Sequence, residues 1–343
     1  MNLQALSKLP PMPVSFFSIP VGLLALGTAW RVAVGLWALP AWLASVVTAA
    51  GVVVWLMLLA LYALKWMFHR AAAQAELQHP VQSSFLALVP VSSLLAAVAL
   101  QPLSRPLAFA VFIVALLASI AIGAWQYGRV WQGGLTPELV TPAIYLPVVA
   151  QNFVAALAAA SFGWPQVGLW FFGAGVLAWL AIESTILNRL GTRGALPPAL
   201  RPLLGIQLAP PVVGGVAWMA LGHESPDLVG QALLGYGLYQ ALLLARLLPW
   251  IRAQGFAVSY WGFSFGVAAL PTLAMRLAAH GNPGGNSAVQ WLAPIAFTLA
   301  NLIVLALVIG TLRLMVNGRL LPATPSAAAP DATPTHPGVS QPV

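Results

Sequence analysis

Ten apolar segments, each long enough to cross a lipid bilayer, follow one another through almost the whole chain. Each reaches the roughly 20 residues that a helix needs to span the hydrocarbon core. The sequence is 60% hydrophobic and only 6% charged, whereas soluble domains carry about 25% charged residues. The apolar runs are continuous rather than alternating, which argues against a β-barrel. We therefore predict an all-α polytopic membrane protein with helices at roughly 14–35, 41–67, 83–102, 106–131, 141–162, 165–189, 197–221, 226–251, 256–280 and 287–316.

Short connections join these segments, so consecutive helices should form five antiparallel hairpins. The ten-helix domain would occupy residues 14–316, after a short N-terminal segment at residues 1–13. Residues 317–343 form a tail rich in proline, alanine and threonine. Because this tail lacks apolar periodicity, we predict that it is disordered.

The prolines alternate between two kinds of helix. Every second segment carries them in its interior, at Pro20, Pro90, Pro147, Pro210–Pro211 and Pro271. The other segments carry them mainly at their starts, at Pro40, Pro106, Pro165 and Pro226, with Pro294 as an exception. An interior proline removes a backbone donor and costs roughly 3 kcal/mol, whereas a proline at the first helical position costs little. We therefore expect bent odd-numbered helices that surround something, and straight even-numbered ones.

The basic residues are asymmetrically distributed, which predicts the orientation in the membrane. With the N-terminus inside, the outer side keeps three basic residues, Arg31, Arg105 and Arg276. The other eleven lie inside, at Lys8, Lys65, Arg70, Arg129, Arg189, Arg193, Arg201, Arg246, Arg252, Arg313 and Arg319. Ten helices return the C-terminus to the same side, so both termini should be cytoplasmic. The net charge of +8 is scattered without a long basic run, so we expect it to set topology rather than to bind nucleic acid.

Several classes of chemistry are disfavoured. The chain has no cysteine, which excludes disulfides, thiolate metal sites and iron–sulfur clusters. None of the five histidines falls in the middle of a segment, so a bis-histidine haem site is not expected. No Ser/His/Asp or metal-ligand grouping stands out, so we predict no catalytic residues, no metal and no cofactor.

Glu183 and Arg246 are the ionisable residues deepest within segments, in the sixth and eighth helices. Glu183 lies 18 residues after Pro165 and Arg246 lies 20 after Pro226, which places both about 27–30 Å below the outer end. Pairing would lower the cost of each charge in the membrane. We therefore predict a structural ion pair between them, with a transport role as the alternative.

The bent helices carry small, uncharged residues, which predicts a nearly electroneutral conduit. Without carboxylate rings it cannot strongly favour cations. Candidate pore-lining or kink positions are Ser18, Pro20, Pro90, Pro147, Pro210, Ser264, Gly266 and Pro271. Phe265 lies between small residues in the stretch Trp261-Gly-Phe-Ser-Phe-Gly266. From the residues alone, either core packing or a hydrophobic plug explains Phe265.

Several stretches together resemble the bacterial TehA-type proteins of the tellurite-resistance/dicarboxylate transporter family, whose relatives include the plant slow anion channels. They are VSFFSIPVGLLALGTAW, HPVQSSFLALVP, WQGG, YLPVVAQNF, FFGAGVLAW, LLGYGLYQALLLARLLPW and WGFSFG, in this order over about residues 12–316. One departure is Ser18, where the family motif is expected to have glycine. The basic loop at 189–204 and the tail match least well.

The resemblance implies a fold, a site and an assembly. The odd helices would line a central pore and the even helices would form an outer ring. Phe265 would occlude the pore, and protomers would form a homotrimer in the bacterial inner membrane. The expected function is a gated channel or uniporter for small monovalent anions. The alternative is a secondary transporter that exports sulfite, tellurite-related oxyanions, C4-dicarboxylates or toxic organic cations.

Overall fold

A computed structural model describes residues 11–133, 136–222, 228–279 and 288–321 of the chain. Within these ranges, ten helical spans are long and apolar enough to cross a membrane, which confirms the predicted all-α polytopic fold. They are α1 (Val14–Trp37), α2 (Ala41–Phe68), α3 (Gln82–Leu100), α4 (Arg105–Trp131), α5 (Pro142–Ser161), α6 (Pro165–Thr192), α7 (Pro198–Ala220), α8 (Leu228–Gln254), α9 (Val258–Ala279) and α10 (Ala288–Val316). Most of the predicted N-terminal segment and tail lies outside the described residues.

The odd-numbered spans contact one another in a closed cycle. The order is α1, α3, α5, α7, α9 and back to α1. Each even-numbered span packs against the odd span before it and also touches the odd span after it, with α10 touching α1. Of the most apolar 18 residues in each even span, 28–33% are buried. The corresponding share in the odd spans is 50–89%. The odd spans are therefore the more buried set, and the even spans present more of their surface to lipid.

Each odd span begins with tight turns and continues as α-helix. The initial 3₁₀ segments are Val14–Phe17, Gln82–Ala87, Pro142–Tyr145, Pro198–Leu208 and Val258–Phe263. In α5 a π-helical turn, Leu146–Ala150, separates the 3₁₀ segment from the α-helix. The even spans are α-helical almost throughout, and Arg252–Gln254 ends α8 in a 3₁₀ turn. The two sets of spans thus differ in backbone as well as in burial.

The interior prolines mark where the helix type changes. Pro20 and Pro90 are each the third residue of the α-helical part of their span, and Pro210 is the second. Pro147 is the second residue of the π-helical turn, and only Pro271 lies well inside an α-helix. Where a 3₁₀ segment passes into an α-helix, the acceptor of each backbone N–H changes from residue i−3 to residue i−4. A proline there removes a hydrogen bond from an already irregular pattern, so it disturbs the helix less than a proline in a regular helix does.

Two prolines lie inside even spans and depart from the alternation. Pro294 is within α10, as its sequence position indicates, and Pro249 is within α8, close to its end. Proline is tolerated in membrane helices where neighbouring groups satisfy the freed carbonyls. The distinction between the two sets of spans therefore rests on the 3₁₀ starts and on burial rather than on proline alone.

Gly266 allows α9 to approach α7 closely. A Cβ on Gly266 would lie 2.8 Å from Cβ of Leu208 and 2.9 Å from the backbone nitrogen of Ala209. We expect Gly266→Ala to lower the free energy of unfolding by about 1–3 kcal/mol, as overpacking does in other cores. The thermal-unfolding midpoint of the purified protein in detergent measures this.

Gly173 in α6 provides the matched control, because a Cβ there meets no heavy atom within 4 Å. Gly173→Ala should leave stability unchanged or raise it by up to about 1 kcal/mol through helix propensity. Equal midpoints for the two variants would show that the contact at Gly266 can relax without cost.

Candidate functional site

The start of α9 is anchored on several sides by successive residues. Trp261 is 1% exposed, and its Nε1 donates a 2.8 Å hydrogen bond to Oγ1 of Thr311 in α10. The ring of Phe263 occupies the space that a side chain on Gly205 of α7 would need. Ser264 packs in the same way against Gly22 of α1. This part of α9 is therefore fixed against α1, α7 and α10.

Phe265 projects into the space between the odd spans. The residues on either side of it contact α1 and α7, which are the two neighbours of α9 in the cycle. Phe265 itself lines a cavity with residues of α5 and α7. These are Tyr145, Ala150, Phe153, Ile206, Ala209, Pro210 and Val213. Because α5 is not a neighbour of α9 in the cycle, the phenyl ring points across the cycle and not toward lipid.

The cavity beside Phe265 is small and mainly apolar. Its volume is about 10 Å³, roughly the minimum that one water molecule needs. The side chains around Phe265 therefore leave little free space in this cavity.

Among the predicted pore-lining or kink residues outside the stretch around Phe265, the structure brings one to Phe265 and places the others elsewhere. Pro210 lines the same cavity as Phe265. Pro147 lines a different cavity, together with side chains of α3, α4 and α6. Pro20, Pro90 and Pro271 are buried within their spans.

The small residues predicted to line the conduit pack against neighbouring backbone. Ser18 is buried, and its Oγ donates to the carbonyl oxygen of Ser15 at 2.8 Å. Ser264 is 0% exposed, and its Oγ donates to the carbonyl oxygen of Trp261 at 2.7 Å. Gly266 lies against α7. The small size of Ser264 and Gly266 serves the close approach of α9 to its neighbours.

Glu183 of α6 accepts hydrogen bonds from three side chains. Nε1 of Trp179 donates to Oε2 at 2.9 Å, and the hydroxyl of Tyr145 in α5 donates to the same oxygen. The hydroxyl of Tyr236 in α8 donates to Oε1 at 2.9 Å. Nε2 of Gln240 in turn donates to the hydroxyl of Tyr236 at 3.0 Å. The carboxyl group thus joins three spans, α5, α6 and α8.

The predicted ion pair between Glu183 and Arg246 is wrong. Within the described ranges, the ion pairs within 4 Å are Lys65–Glu76 and Arg193–Glu138, and Arg246 is exposed. The hydroxyl that reaches Glu183 from α8 belongs to Tyr236, ten residues before Arg246. Ten residues of α-helix rise about 15 Å. Counting from each helix start placed the two charges at one depth, but the packing of α8 against its neighbours brings a different turn of α8 to Glu183.

A buried ion pair at the start of α1 was not anticipated from the sequence. Nζ of Lys65 in α2 lies 2.7 Å from Oε1 of Glu76, and the two side chains are 3% and 15% exposed. Lys65 also donates to the carbonyl oxygen of Met12 at 2.9 Å, and the backbone N–H of Val14 donates to Glu76 at 3.1 Å. Glu76 belongs to a short helix, Arg70–Gln78, between α2 and α3. The pair therefore fastens the beginning of α1 to the α2–α3 connection.

Comparisons with known proteins agree on one family. The model of a family described as "SLAC1: Voltage-dependent anion channel" matches residues 11–312. The chain is 32% identical over 310 residues to the tellurite resistance protein TehA homolog of Haemophilus influenzae, across 90% of this chain and 92% of that protein. It is 26% identical to the guard cell S-type anion channel SLAC1 of Arabidopsis thaliana, across 65% of this chain and 41% of that protein. The S-type anion channel SLAH3 of the same plant is 24% identical, with 88% and 48% covered. The chain thus spans less than half the length of these plant relatives.

Proposed function

This chain belongs to the voltage-dependent anion channel family, and on that premise we propose that it is a gated channel for small monovalent anions. The observation that carries the proposal is the position of Phe265, which projects between the odd spans into a nearly filled apolar cavity. A hydrophobic constriction of this kind gates a conduit by excluding water. Phe265 is therefore the proposed gate, and the odd spans are the proposed wall of the conduit.

The distribution of charge supports anions as the permeant species. None of the five odd spans contains aspartate or glutamate, whereas Arg31, Arg201 and Arg276 lie toward span ends. A path along these spans passes no fixed negative charge, and a pore without acidic rings does not strongly favour cations. Because no basic residue lies in the central part of an odd span, we expect modest selectivity among monovalent anions.

The proposal includes a location and an assembly. The asymmetry of the basic residues supports an N-terminus and a C-terminus on the cytoplasmic side. The bacterial relative supports the bacterial inner membrane as the location. The resemblance to the TehA-type proteins supports a homotrimer with one conduit in each protomer.

A secondary transporter of anions is the second candidate. The observation in its favour is the name of the bacterial relative, which is called a tellurite resistance protein. A secondary transporter would couple the export of tellurite-related oxyanions, sulfite or C4-dicarboxylates to an ion gradient. A passive channel needs no such coupling, so the two candidates differ in their response to a pH gradient.

The reversal potential in planar bilayers tests this function. Across a potassium chloride gradient, we expect the current of the wild-type protein and of Phe265→Ala to reverse near the Nernst potential of chloride. Replacing chloride with nitrate should shift the reversal potential only slightly, and adding a pH gradient should not shift it. Reversal near the potassium potential would exclude an anion channel, and a reversal potential that follows the pH gradient would favour the coupled transporter.

A further inference from the structure

Glu183 is the one acidic residue in the sequence of the ten spans, and the conduit as proposed does not use it. We propose that Glu183 is a positioning residue, which holds Tyr145 in place and thereby fixes the wall against which Phe265 closes. This inference rests on the proposed role of Phe265 as the gate. The gate would then consist of Phe265 and of Tyr145 on the opposite side of the cavity, and Glu183 of α6 would control the position of Tyr145.

The first step is the geometry around the carboxyl group. Three donors converge on Glu183, the hydroxyls of Tyr145 and Tyr236 and the indole N–H of Trp179. An ionised carboxylate accepts hydrogen bonds and cannot donate them, so it suits this set of donors. Within a bilayer a hydroxyl without a partner is costly, because no water replaces the lost bond. The carboxylate therefore determines the direction in which the Tyr145 hydroxyl points.

The second step is the place of Tyr145 in the cavity. Tyr145 is 0% exposed, and the residue lines the same cavity as Phe265. The side chain thus has two ends with different neighbours. The hydroxyl is held by Glu183 in the outer set of spans, while another part of the residue borders the space beside Phe265.

The third step is the backbone at Tyr145. It is the last residue of the 3₁₀ segment that opens α5, and the π-helical turn Leu146–Ala150 follows at once. The π-helical turn includes Pro147, which has no N–H to donate. π-Helical turns are rare and often occur at functional sites. The backbone at Tyr145 therefore changes from 3₁₀ to π-helical hydrogen bonding, and the hydrogen bond to Glu183 restrains the side chain at this irregular point.

The fourth step is the consequence of removing the restraint. Without the carboxylate, Gln207 of α7 is left as a polar side chain beside the Tyr145 hydroxyl, and we expect the tyrosine side chain to turn toward it and so to move relative to the cavity. The cavity has about 10 Å³ of free volume, so a small displacement of Tyr145 changes how closely the wall fits Phe265. When Phe265 is present, a poorer fit between Tyr145 and the phenyl ring should let more anions through. When the phenyl ring has been removed, the same displacement of Tyr145 should have little effect on the current.

A double-mutant cycle in planar bilayers tests this coupling. Tyr145→Phe removes the hydroxyl but leaves Trp179 and Tyr236 on the carboxylate, and Glu183→Ala removes the acceptor altogether. Each is measured with Phe265 present and in the Phe265→Ala background. We expect the basal anion current to rise about fivefold with Phe265 present and to change less than about twofold in Phe265→Ala, since neighbouring residues couple in this range.

Two further variants separate positioning from other causes. Glu183→Gln keeps one oxygen that can accept from Tyr145 and Trp179, so its basal current should stay within about twofold of the wild type. Tyr239→Phe removes the hydroxyl of a tyrosine in α8 that is 56% exposed, and it should leave the current unchanged. A rise in Glu183→Gln equal to that in Glu183→Ala would show that the charge matters rather than the position of Tyr145, and would overturn the proposal.

The remaining outcomes are also decisive. Equal fold-changes in both backgrounds, or no change in either, would show that Glu183 only stabilises the fold. If Glu183→Ala does not fold, Tyr145→Phe still decides the question because it keeps the other two hydrogen bonds. If Phe265→Ala alone gives no extra current, the gate assignment fails and this inference fails with it. If Phe265→Ala opens the channel but the cycle shows no coupling, only the role of Glu183 is lost.

Discussion

Phe265→Ala is expected to raise the anion current of the purified protein by roughly tenfold or more, because each 1.4 kcal/mol removed from a barrier gives a factor of ten. The phenyl ring lies between the odd spans, where the free space is about 10 Å³. Replacing it with a methyl group widens the constriction without adding charge, and a wider apolar constriction admits water and ions. Single-channel and macroscopic currents in planar bilayers measure the effect.

Two variants make this result specific. Phe265→Leu keeps much of the apolar bulk, so its current should fall between those of the wild type and the alanine variant. Phe109→Ala removes the same ring from α4, where it is 40% exposed and packs on Phe112, Phe162 and Trp164, outside the cavity that Phe265 lines. It should leave the current unchanged. No increase in Phe265→Ala, for protein shown to be folded, would mean that the constriction lies elsewhere.

Lys65→Met is expected to lower the free energy of unfolding by about 3 kcal/mol, since removing one partner of a buried ion pair leaves the other charge uncompensated. Lys65 is 3% exposed and lies 2.7 Å from Glu76. The substitution also removes the donor to the carbonyl oxygen of Met12. The thermal-unfolding midpoint in detergent should fall, and the segment before α1 should become more accessible to protease.

Two controls accompany Lys65→Met, a double variant that removes both charges and a variant that breaks an exposed ion pair. Lys65→Met combined with Glu76→Gln removes both charges and should be more stable than the single variant. Arg193→Met breaks the pair with Glu138, whose side chains are 53% and 64% exposed. It should cost less than about 1 kcal/mol. Equal losses for Lys65→Met and Arg193→Met would show that burial does not strengthen the Lys65–Glu76 pair.

The ten spans were predictable because length and hydropathy are local properties. A bilayer requires about 20 apolar residues in each helix, and the spans of the structure agree with the predicted segments to within a few residues. Helix ends are also local, as in α4, where Oγ of Ser104 accepts from the N–H of Leu107 at 3.4 Å. Such features need no knowledge of which spans are neighbours.

The meaning of the interior prolines was only partly predictable. Their alternation distinguishes the odd from the even spans, and the odd spans are the more buried set. The sequence indicates bends at these positions. The structure shows a change of helix type at four of them, from 3₁₀ to α-helix at Pro20, Pro90 and Pro210 and from 3₁₀ to π-helix at Pro147. The helix type depends on how each span packs against its neighbours, which proline spacing does not encode.

The partner of Glu183 could not be obtained by counting residues. Equal distance from two helix starts predicted Arg246, but Tyr236 and Tyr145 are the residues from α8 and α5 that reach the carboxylate. Two spans that cross the same bilayer can shift along each other by several turns while remaining equally apolar. Tyr145 is part of the family-like stretch YLPVVAQNF. Its proposed role in positioning becomes apparent only from the hydrogen bond that its hydroxyl donates to Glu183 of α6.

Hydropathy and proline position were enough to predict the class of protein, the number of spans and which set of helices lies inside. The sequence also singled out Phe265, through its resemblance to a known family. These conclusions depend on hydropathy, on proline position and on motif order, which are read along one chain. Three relations became visible only once the spans were packed together: Phe265 lies across from α5, Ser264 and Gly266 allow close packing, and Glu183 accepts hydrogen bonds from tyrosines. These relations depend on the register between spans, which side-chain packing sets and the hydrophobic pattern leaves free.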